Sequence, residues 1–547
     1  MTGTFKRMGA VLAAVLALVV GLAAPSSALA VEPTASVTYN GIEAGNTLKA
    51  YRVVSFDAEN NNNVYKYDTT FTKYLDSKGV TDEVFVAMGY DSDDLRTLIN
   101  GFLSYDGVTS MTPAYTVTAD DNNTVTQNFT PGYYVISVAT TEGHTTVYSA
   151  SSLFVRYNGN DALLVYSNGS AVTPSNNTYT IDVKSAKGAT LSKSIARADG
   201  TWAKTKTVSM GEYVQYGLQI TLPDYSGITF GLDVTVSDTL TNLQFVNDGA
   251  HPMRAYAGTS QSTGAAFDGV TVEAGAYDDT THTQKLTFKI DYTKLSGGAK
   301  TLMISYWALP TSDMVSTGTM NGTNSATLSY NTSAAGTRFT TTASNTTVYT
   351  YGLKLTKFGS LSDEKLAGAK FQVFADAAST DAMSFIPLKD TSGNIIYYQY
   401  TTDANASGAV TEIETGDDGT FQIRGIDAAS NKSLYIQETV APAGYKVPSG
   451  RFAATLASDK SATDGEHNGK LSNMSSFTAQ QAADTPLVQK VSVDDANLWQ
   501  LDVELNNANT HVLPTTGGMG TVLFAVVGVA LMAAAAGAFV VVRRRRQ

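Results

Sequence analysis

Three side chains of different chemistry share one pattern of alternation in the last third of this chain. In the run from Gly352 to Lys357, residues Leu353, Leu355 and Lys357 have the same parity, so an extended backbone aims the lysine with its apolar neighbours. Leu434, Ile436 and Glu438 do the same in a second segment, as do Leu501, Val503, Leu505 and Asn507 in a third. An amine, a carboxyl and a carboxamide are thereby directed into one hydrophobic layer. Burial disfavours charge, which favours a neutral Lys357 and a protonated Glu438. A neutral amine beside an amide polarised by a carboxylic acid is a reacting pair, because proximity replaces a bimolecular encounter and the acid shuttles the proton as ammonia leaves. The plainer reading is a snorkelling lysine in an ordinary salt bridge with Glu438. Asn506 competes with Asn507 for the amide role, and parity favours Asn507.

Strands must position these groups, and the composition supplies them. Apolar residues recur with period two at Tyr213 to Ile220, Leu232 to Val236, Leu286 to Ile290, Leu353 to Leu355 and Leu501 to Leu505, bounded by Gly, Asn and Asp clusters. This predicts a mainly β protein of antiparallel sandwiches with one wet face. Two short helices are expected near Thr69 to Lys78 and Ser92 to Phe102, and almost no others. Turn-rich and polar runs divide the chain into units at 31–183, 190–345 and 350–510, each of ordinary domain size. The polar stretch from about Ser458 to Thr485 reads as a long or disordered surface loop.

The two ends carry addressing signals. Lys6 and Arg7 precede an apolar stretch from Met8 to Ala24, and Ala28, Leu29 and Ala30 offer a cleavage signal, so residues 1–30 read as a secretory signal peptide. At the other end, Leu513, Pro514, Thr515, Thr516 and Gly517 are followed by an apolar run from about Thr521 to Val542 and then by Arg543 to Arg546. Such a run is long enough to span a bilayer, and the arginines favour keeping its end in the cytoplasm. The chain has no cysteine, so neither disulfides nor thiolate metal sites can staple it. Its five histidines, His144, His251, His282, His467 and His511, lack the spacing of a metal motif. Gly297 to Thr301 lacks the spacing of a phosphate loop. No cofactor or resident metal is expected. Acidic turns at Asp57 to Asn63 and Asp91 to Asp94 read as solvated turns before calcium sites.

The ordered trio of pentapeptide, apolar span and arginines (513–547) resembles the cell-wall sorting signal of Gram-positive surface proteins. The resemblance implies cleavage by a sortase between Thr516 and Gly517, through a thioester to the Thr516 carbonyl that an amine resolves. Trimming both ends removes six of the 37 basic residues and none of the 49 acidic ones, leaving 31 against 49, a net charge of −18. That surface is a poor match for nucleic acid.

The runs GLKLTKFG, LAGAKFQVF and LYIQETVAPAGY resemble the opening strand, second strand and E-box of the Cna B-type, inverse immunoglobulin-like domain of Gram-positive pilins and adhesins. This implies an autocatalytic Lys357–Asn507 isopeptide bond promoted by Glu438. TLSKSI, MGEYVQYGLQITLPDY, VTVSDTL and ATLSYN resemble the middle, Cna A-like domain of backbone pilins, and the carry-over makes Lys193 the amine, Asp238 the proton-handling acid and Asn331 the amide. Asn331 directly abuts Tyr330, where family members commonly interpose a residue, so a bulge is required to turn it inward. FTPGYYVISV resembles a strand opening of N-terminal pilin domains, with Tyr133 and Tyr134 giving one core and one surface contact. No internal bond is expected there.

Backbone pilins of this kind offer a lysine near the end of the first domain to the next subunit. YTIDVKSAK occupies the corresponding place, with Lys184 as the acceptor and Lys187 as its competitor; Val183 and Ser185 replace the usual proline and asparagine. The resemblance therefore implies the structural shaft subunit of a covalent pilus that supports adhesion. Sortases, pilus-specific and housekeeping, would join Thr516 to a lysine of an identical subunit and finally to peptidoglycan, with minor pilins as further partners. The chain would be a sortase substrate that modifies itself, not a turnover enzyme. The alternative is a monomeric wall-anchored adhesin, or a tip or basal pilin, that binds a host glycan or matrix protein; an extracellular hydrolase is the third reading. The expected location is extracellular, anchored to the cell wall after transient membrane attachment.

Overall fold

The computed structural model describes residues 33–57, 64–88, 92–141, 144–157, 163–222, 233–260, 264–295, 301–332, 338–359, 364–428, 433–479, 488–508 and 520–546. The signal segment 1–30, the sorting pentapeptide 513–517, His511, Gly297 to Lys300, residues 58–63 of the first acidic turn, Asp91, and the end of the polar stretch from residue 480 onward lie outside them. Two compact units are formed. One comprises Met1–Thr205, Tyr213–Thr311 and Gly322–Thr347; the other comprises Val348–Gln547 together with Lys206–Glu212 and Ser312–Asn321. The expected middle stretch 190–345 is thus not wholly contained in one unit.

The first unit opens with a three-stranded sheet, Thr178–Asp182, Ala35–Asn40 and Thr124–Phe129, facing a seven-stranded sheet centred on Thr47–Asp57 and Gly132–Ala139. Val37, Tyr39, Leu48, Phe129, Tyr134, Ile136 and Val155 fill the space between them. Gly132–Ala139 is buried on both faces rather than one. Its second face is covered by a helical layer: Tyr133 packs on Phe85 with ring centroids 5.8 Å apart, and Phe85 and Phe102 pack edge-on against Phe71 at 5.2 and 5.0 Å. Both tyrosines of the pair are therefore buried, a correction to the expected one-in, one-out arrangement.

The helices are Thr69–Ser77, Asp82–Ala87 and Asp93–Leu103. Each starts on a side-chain cap: Asp68 accepts from the Thr70 amide at 2.8 Å, Thr81 from Val84 at 3.3 Å and Ser92 from Leu95 at 3.1 Å. The middle helix is additional to the two expected, since six residues are too few for a clear 3.6 period.

A second sandwich follows within the same unit. One sheet runs Trp202–Ala203, Thr190–Ala196, Val214–Thr221, Thr301–Pro310, Arg254–Ala257, Ala265–Ala266, and the other contains Asn321–Asn331, Val234–Thr241, Thr283–Ile290 and Val270–Ala274 in that order. Alternation is regular: in Val234–Thr241 every even-numbered residue is buried.

The other unit is a sandwich of a six-stranded and a five-stranded sheet. Its opening strand Tyr351–Gly359 lies parallel to its closing strand Gln500–Asn507, with Lys357 opposite Leu505 and Gly359 opposite Asn507. Ser433–Val440 belongs to the facing sheet. The stretch expected to be a long loop instead forms a ribbon, Ser458–Lys460 with His467–Leu471, and the edge strand Ser476–Ala479. Leu471 and Phe477, buried to 6% and 3% exposure, tie it to the core despite its polar composition. A helix Gly520–Arg544 ends the described chain; its segment Phe524–Arg544 has mean hydropathy 2.5, long and apolar enough to cross a membrane.

Candidate functional site

Lys357, Glu438 and Asn507 meet between the two sheets of the second unit, and their exposures are 0%, 1% and 0%. Lys357 Nζ lies 2.8 Å from Glu438 Oε2 and donates to Asn507 Oδ1. Asn507 Nδ2 donates to Glu438 Oε1 at 2.7 Å. The carboxyl thus touches both the amine and the nitrogen that would depart, while the amine sits against the carbonyl it would attack. Phe371 covers the amine, 5.8 Å from its ring centroid. Desolvation outweighs the pull of Glu438 and brings Lys357 down to about 8, and desolvation likewise raises Glu438 above the usual carboxylate range. Both shifts favour the neutral forms that nucleophilic attack needs. Asn506, opposite Phe358 in the parallel register, is 9% exposed, and its Oδ1 has no hydrogen-bond partner.

A second buried centre lies between the sheets of the first unit's later sandwich. Lys193 is fully buried and Asp238 is 1% exposed. Lys193 Nζ donates to Asp238 Oδ2 and to the Tyr306 hydroxyl oxygen, each at 2.5 Å, and Tyr306 O–H donates to Asp238 Oδ2 at 2.5 Å. Burial pushes the Lys193 amine down against the opposing effect of Asp238.

The carboxamide in this centre is Asn324, not Asn331. Asn324 is fully buried and its Nδ2 donates to Tyr306 at 2.8 Å. Asn331 sits at the far end of the same strand with the opposite parity, half-buried, and its Oδ1 accepts from Arg338 at 3.3 Å. No bulge restores it: the strand pairs with Val234–Thr241 without a register shift, and Asn331 faces Arg338 on the other side. The parity of Asn324 with Ala326, Leu328 and Tyr330 is the signal in the sequence that identifies it. Tyr306 shares the buried parity of Leu302, Ile304 and Ala308, but that parity marks it only as a core residue and does not say that it meets the amine, the acid and the amide.

Lys184 and Lys187 are both exposed. The backbone beneath Lys184 is pinned: its carbonyl accepts from Ser149 N–H at 3.0 Å, Val183 N–H donates to Asn40 at 3.0 Å, and Ser185 pairs with Tyr148. Exposure does not separate the two lysines. His144 approaches Glu43 at 3.1 Å and His251 stacks on Tyr213 at 3.7 Å. Among the described residues no group of three or more His, Asp or Glu could hold a metal ion.

Residues 351–469 match the SpaA prealbumin-like fold domain, and residues 506–547 match the Gram-positive LPXTG cell wall anchor motif. A mostly β chain with that domain, that motif and an apolar helix behind it has the parts of a surface protein anchored to the cell wall. It is similar to the trypsin-resistant surface T6 protein of Streptococcus pyogenes serotype M6, with 24% identity over 95% of this chain and 96% of that one. In fold it is similar to the T6 backbone pilin of the same serotype, described as a modular three-domain structure, at a TM-score of 0.51 and 17% identity over 88% of this chain and all of that one. The full-length major pilin SpaD of Corynebacterium diphtheriae aligns over 87% of this chain and 98% of its own, at 15% identity and a TM-score of 0.45.

Proposed function

We propose that this chain is the shaft-forming subunit of a covalent pilus, and that it cross-links itself at two buried centres. The observation that carries the self-modification is the contact of Lys357 Nζ with Asn507 Oδ1 while Glu438 touches both the amine and Asn507 Nδ2. Lys357 attacks the Asn507 amide carbon, the protonated Glu438 gives its proton to Nδ2 and regains one from Nζ, and ammonia leaves as the Cγ–Nδ2 bond breaks. Lys193 and Asn324 condense with loss of ammonia in the other sandwich, with Asp238 beside the amine and Asn324 in place of the Asn331 expected from sequence. Sortase takes Thr516 as acyl donor, and Lys184 of another subunit resolves the acyl-enzyme. Repetition gives a heterologous, non-closing assembly that supports adhesion and ends on peptidoglycan.

Tandem mass spectrometry of the native surface polymer tests each bond. The expected spectra join the Thr516 carbonyl to Lys184, and join Lys357 to Asn507 and Lys193 to Asn324 within one subunit, each internal bond with the loss of one ammonia. Linkage through Lys187 rejects the acceptor assignment. Recovery of the chain only as a monomer joined to peptidoglycan rejects the shaft and leaves the wall-anchored adhesin.

A further inference from the structure

The two buried centres differ in how the acid reaches the amide. Glu438 Oε2 lies 2.8 Å from Lys357 Nζ as an ion-pair contact without hydrogen-bond geometry, and Glu438 Oε1 accepts directly from Asn507 Nδ2. Asp238 is one methylene shorter: its Oδ2 holds Lys193 and Tyr306, while its Oδ1 and the Asn324 Oδ1 have no hydrogen-bond partner. The group on the Asn324 nitrogen is the Tyr306 hydroxyl. We propose that Tyr306 is a catalytic residue of the Lys193–Asn324 condensation, relaying a proton from the Lys193–Asp238 pair to the departing Asn324 nitrogen. This rests on the reading of that centre as an isopeptide-forming site.

Tyr306 is suited to the relay by its connections. Its oxygen accepts from Lys193 Nζ and Asn324 Nδ2, and its proton is donated to Asp238, so its hydrogen-bonding capacity is filled by the reacting groups alone. Tyr216 stacks on it at 5.6 Å and Phe288 packs at 5.3 Å, which fixes the ring and excludes water. Burial and the neighbouring Asp238 hold the phenol far above its ordinary pKa, so it passes a proton on without resting as a phenolate.

The step balances within these four side chains. A bond forms between Lys193 Nζ and Asn324 Cγ, which becomes tetrahedral, and Nδ2 regains the lone pair it had shared with the carbonyl. The Nδ2–H to Tyr306 hydrogen bond then reverses, and the phenol gives its proton to Nδ2. The phenol is reprotonated through Asp238 by the proton released from Nζ. The Cγ–Nδ2 bond breaks, ammonia leaves, and Tyr306 and Asp238 finish in their starting protonation states.

The test is time-resolved formation of both bonds in the full chain made by cell-free synthesis, quenched in denaturant and read as cross-linked peptides. In Tyr306→Phe, formation of the Lys193–Asn324 peptide is expected to slow by about 100-fold, the lower range for loss of a general acid–base group. The Lys357–Asn507 peptide in the same molecules forms at the unaltered rate. Adding Asp238→Glu to Tyr306→Phe supplies the missing methylene and is expected to restore much of the lost rate. That rescue separates proton relay from a mere packing role. An unaltered Lys193–Asn324 rate in Tyr306→Phe overturns the relay, as does a double variant no faster than the single one. Absence of the Lys193–Asn324 peptide from the unsubstituted chain overturns instead the reading on which the relay rests.

Discussion

At the residue scale, the chemistry proposed for the second unit depends on one proton shared by two groups. The reactive form of the Lys357–Glu438 pair is neutral amine with protonated acid, which carries the same single proton as the ion pair. The pair therefore titrates as a unit. Bond formation is expected to be bell-shaped in pH: it falls above pH about 8, where the pair loses its proton through Lys357, and falls in acid, where a second proton blocks the amine. Freshly synthesised chain pulsed into a pH series and read by intact mass checks this; a rate that keeps climbing past pH 9 counts against a protonated Glu438. Glu438→Gln is expected to abolish the bond. Asn324→Ala is expected to remove the other bond while Asn331→Ala leaves it, with peptide mapping as the measurement.

At the element scale, strand parity carries the centres, and regular alternation explains why so much of them was legible. Lys357, Glu438 and Asn507 could each be placed from their own strand. Asn324 was equally accessible, but the family pattern pointed to Asn331, which has the opposite parity and pairs with Arg338. The helical layer of the first unit was only partly legible: Thr69–Ser77 and Asp93–Leu103 have recognisable period and caps, whereas Asp82–Ala87 is too short. That layer buries Phe71 completely among Tyr74, Phe85 and Phe102. Phe71→Ala is expected to cost about 3–5 kcal/mol, the range for a large buried aromatic, and urea denaturation of the chain measures it.

At the scale of the whole molecule, the two proposed bonds would decide what a pull on the chain does. In the second unit tension entering at Tyr351 passes to Lys357, crosses the proposed bond and leaves at Asn507, so residues 358–506 bear no load. The opening and closing strands lie side by side and parallel there, which lets a bond near their common end close that path. Cross-linking this loop also restricts the unfolded state, an effect of about 4–5 kcal/mol for a loop on the order of 100 residues in the chain-entropy account. Stretching single molecules is expected to give no unfolding step from this sandwich in the unsubstituted chain. In Asn507→Ala a step appears whose length matches residues 358–506; its presence in both chains would reject the mechanical role. Without cysteine, such amide links are the covalent staples left to an exported chain.

The sequence by itself determined the wall anchor at the C-terminal end, the β class and the inward direction of Lys193, Asp238, Lys357, Glu438 and Asn507 along their own strands. These are local properties: a pentapeptide, an apolar run, a period of two. Only the tertiary structure decided which groups meet. Tyr306 joins the Lys193–Asp238 centre because Thr301–Pro310 lies across the sandwich from Val234–Thr241 and Asn321–Asn331, and Tyr133 is buried because helices cover a strand that its own pattern leaves half open. Both facts are set by packing between segments far apart in the chain, which no single strand's periodicity encodes.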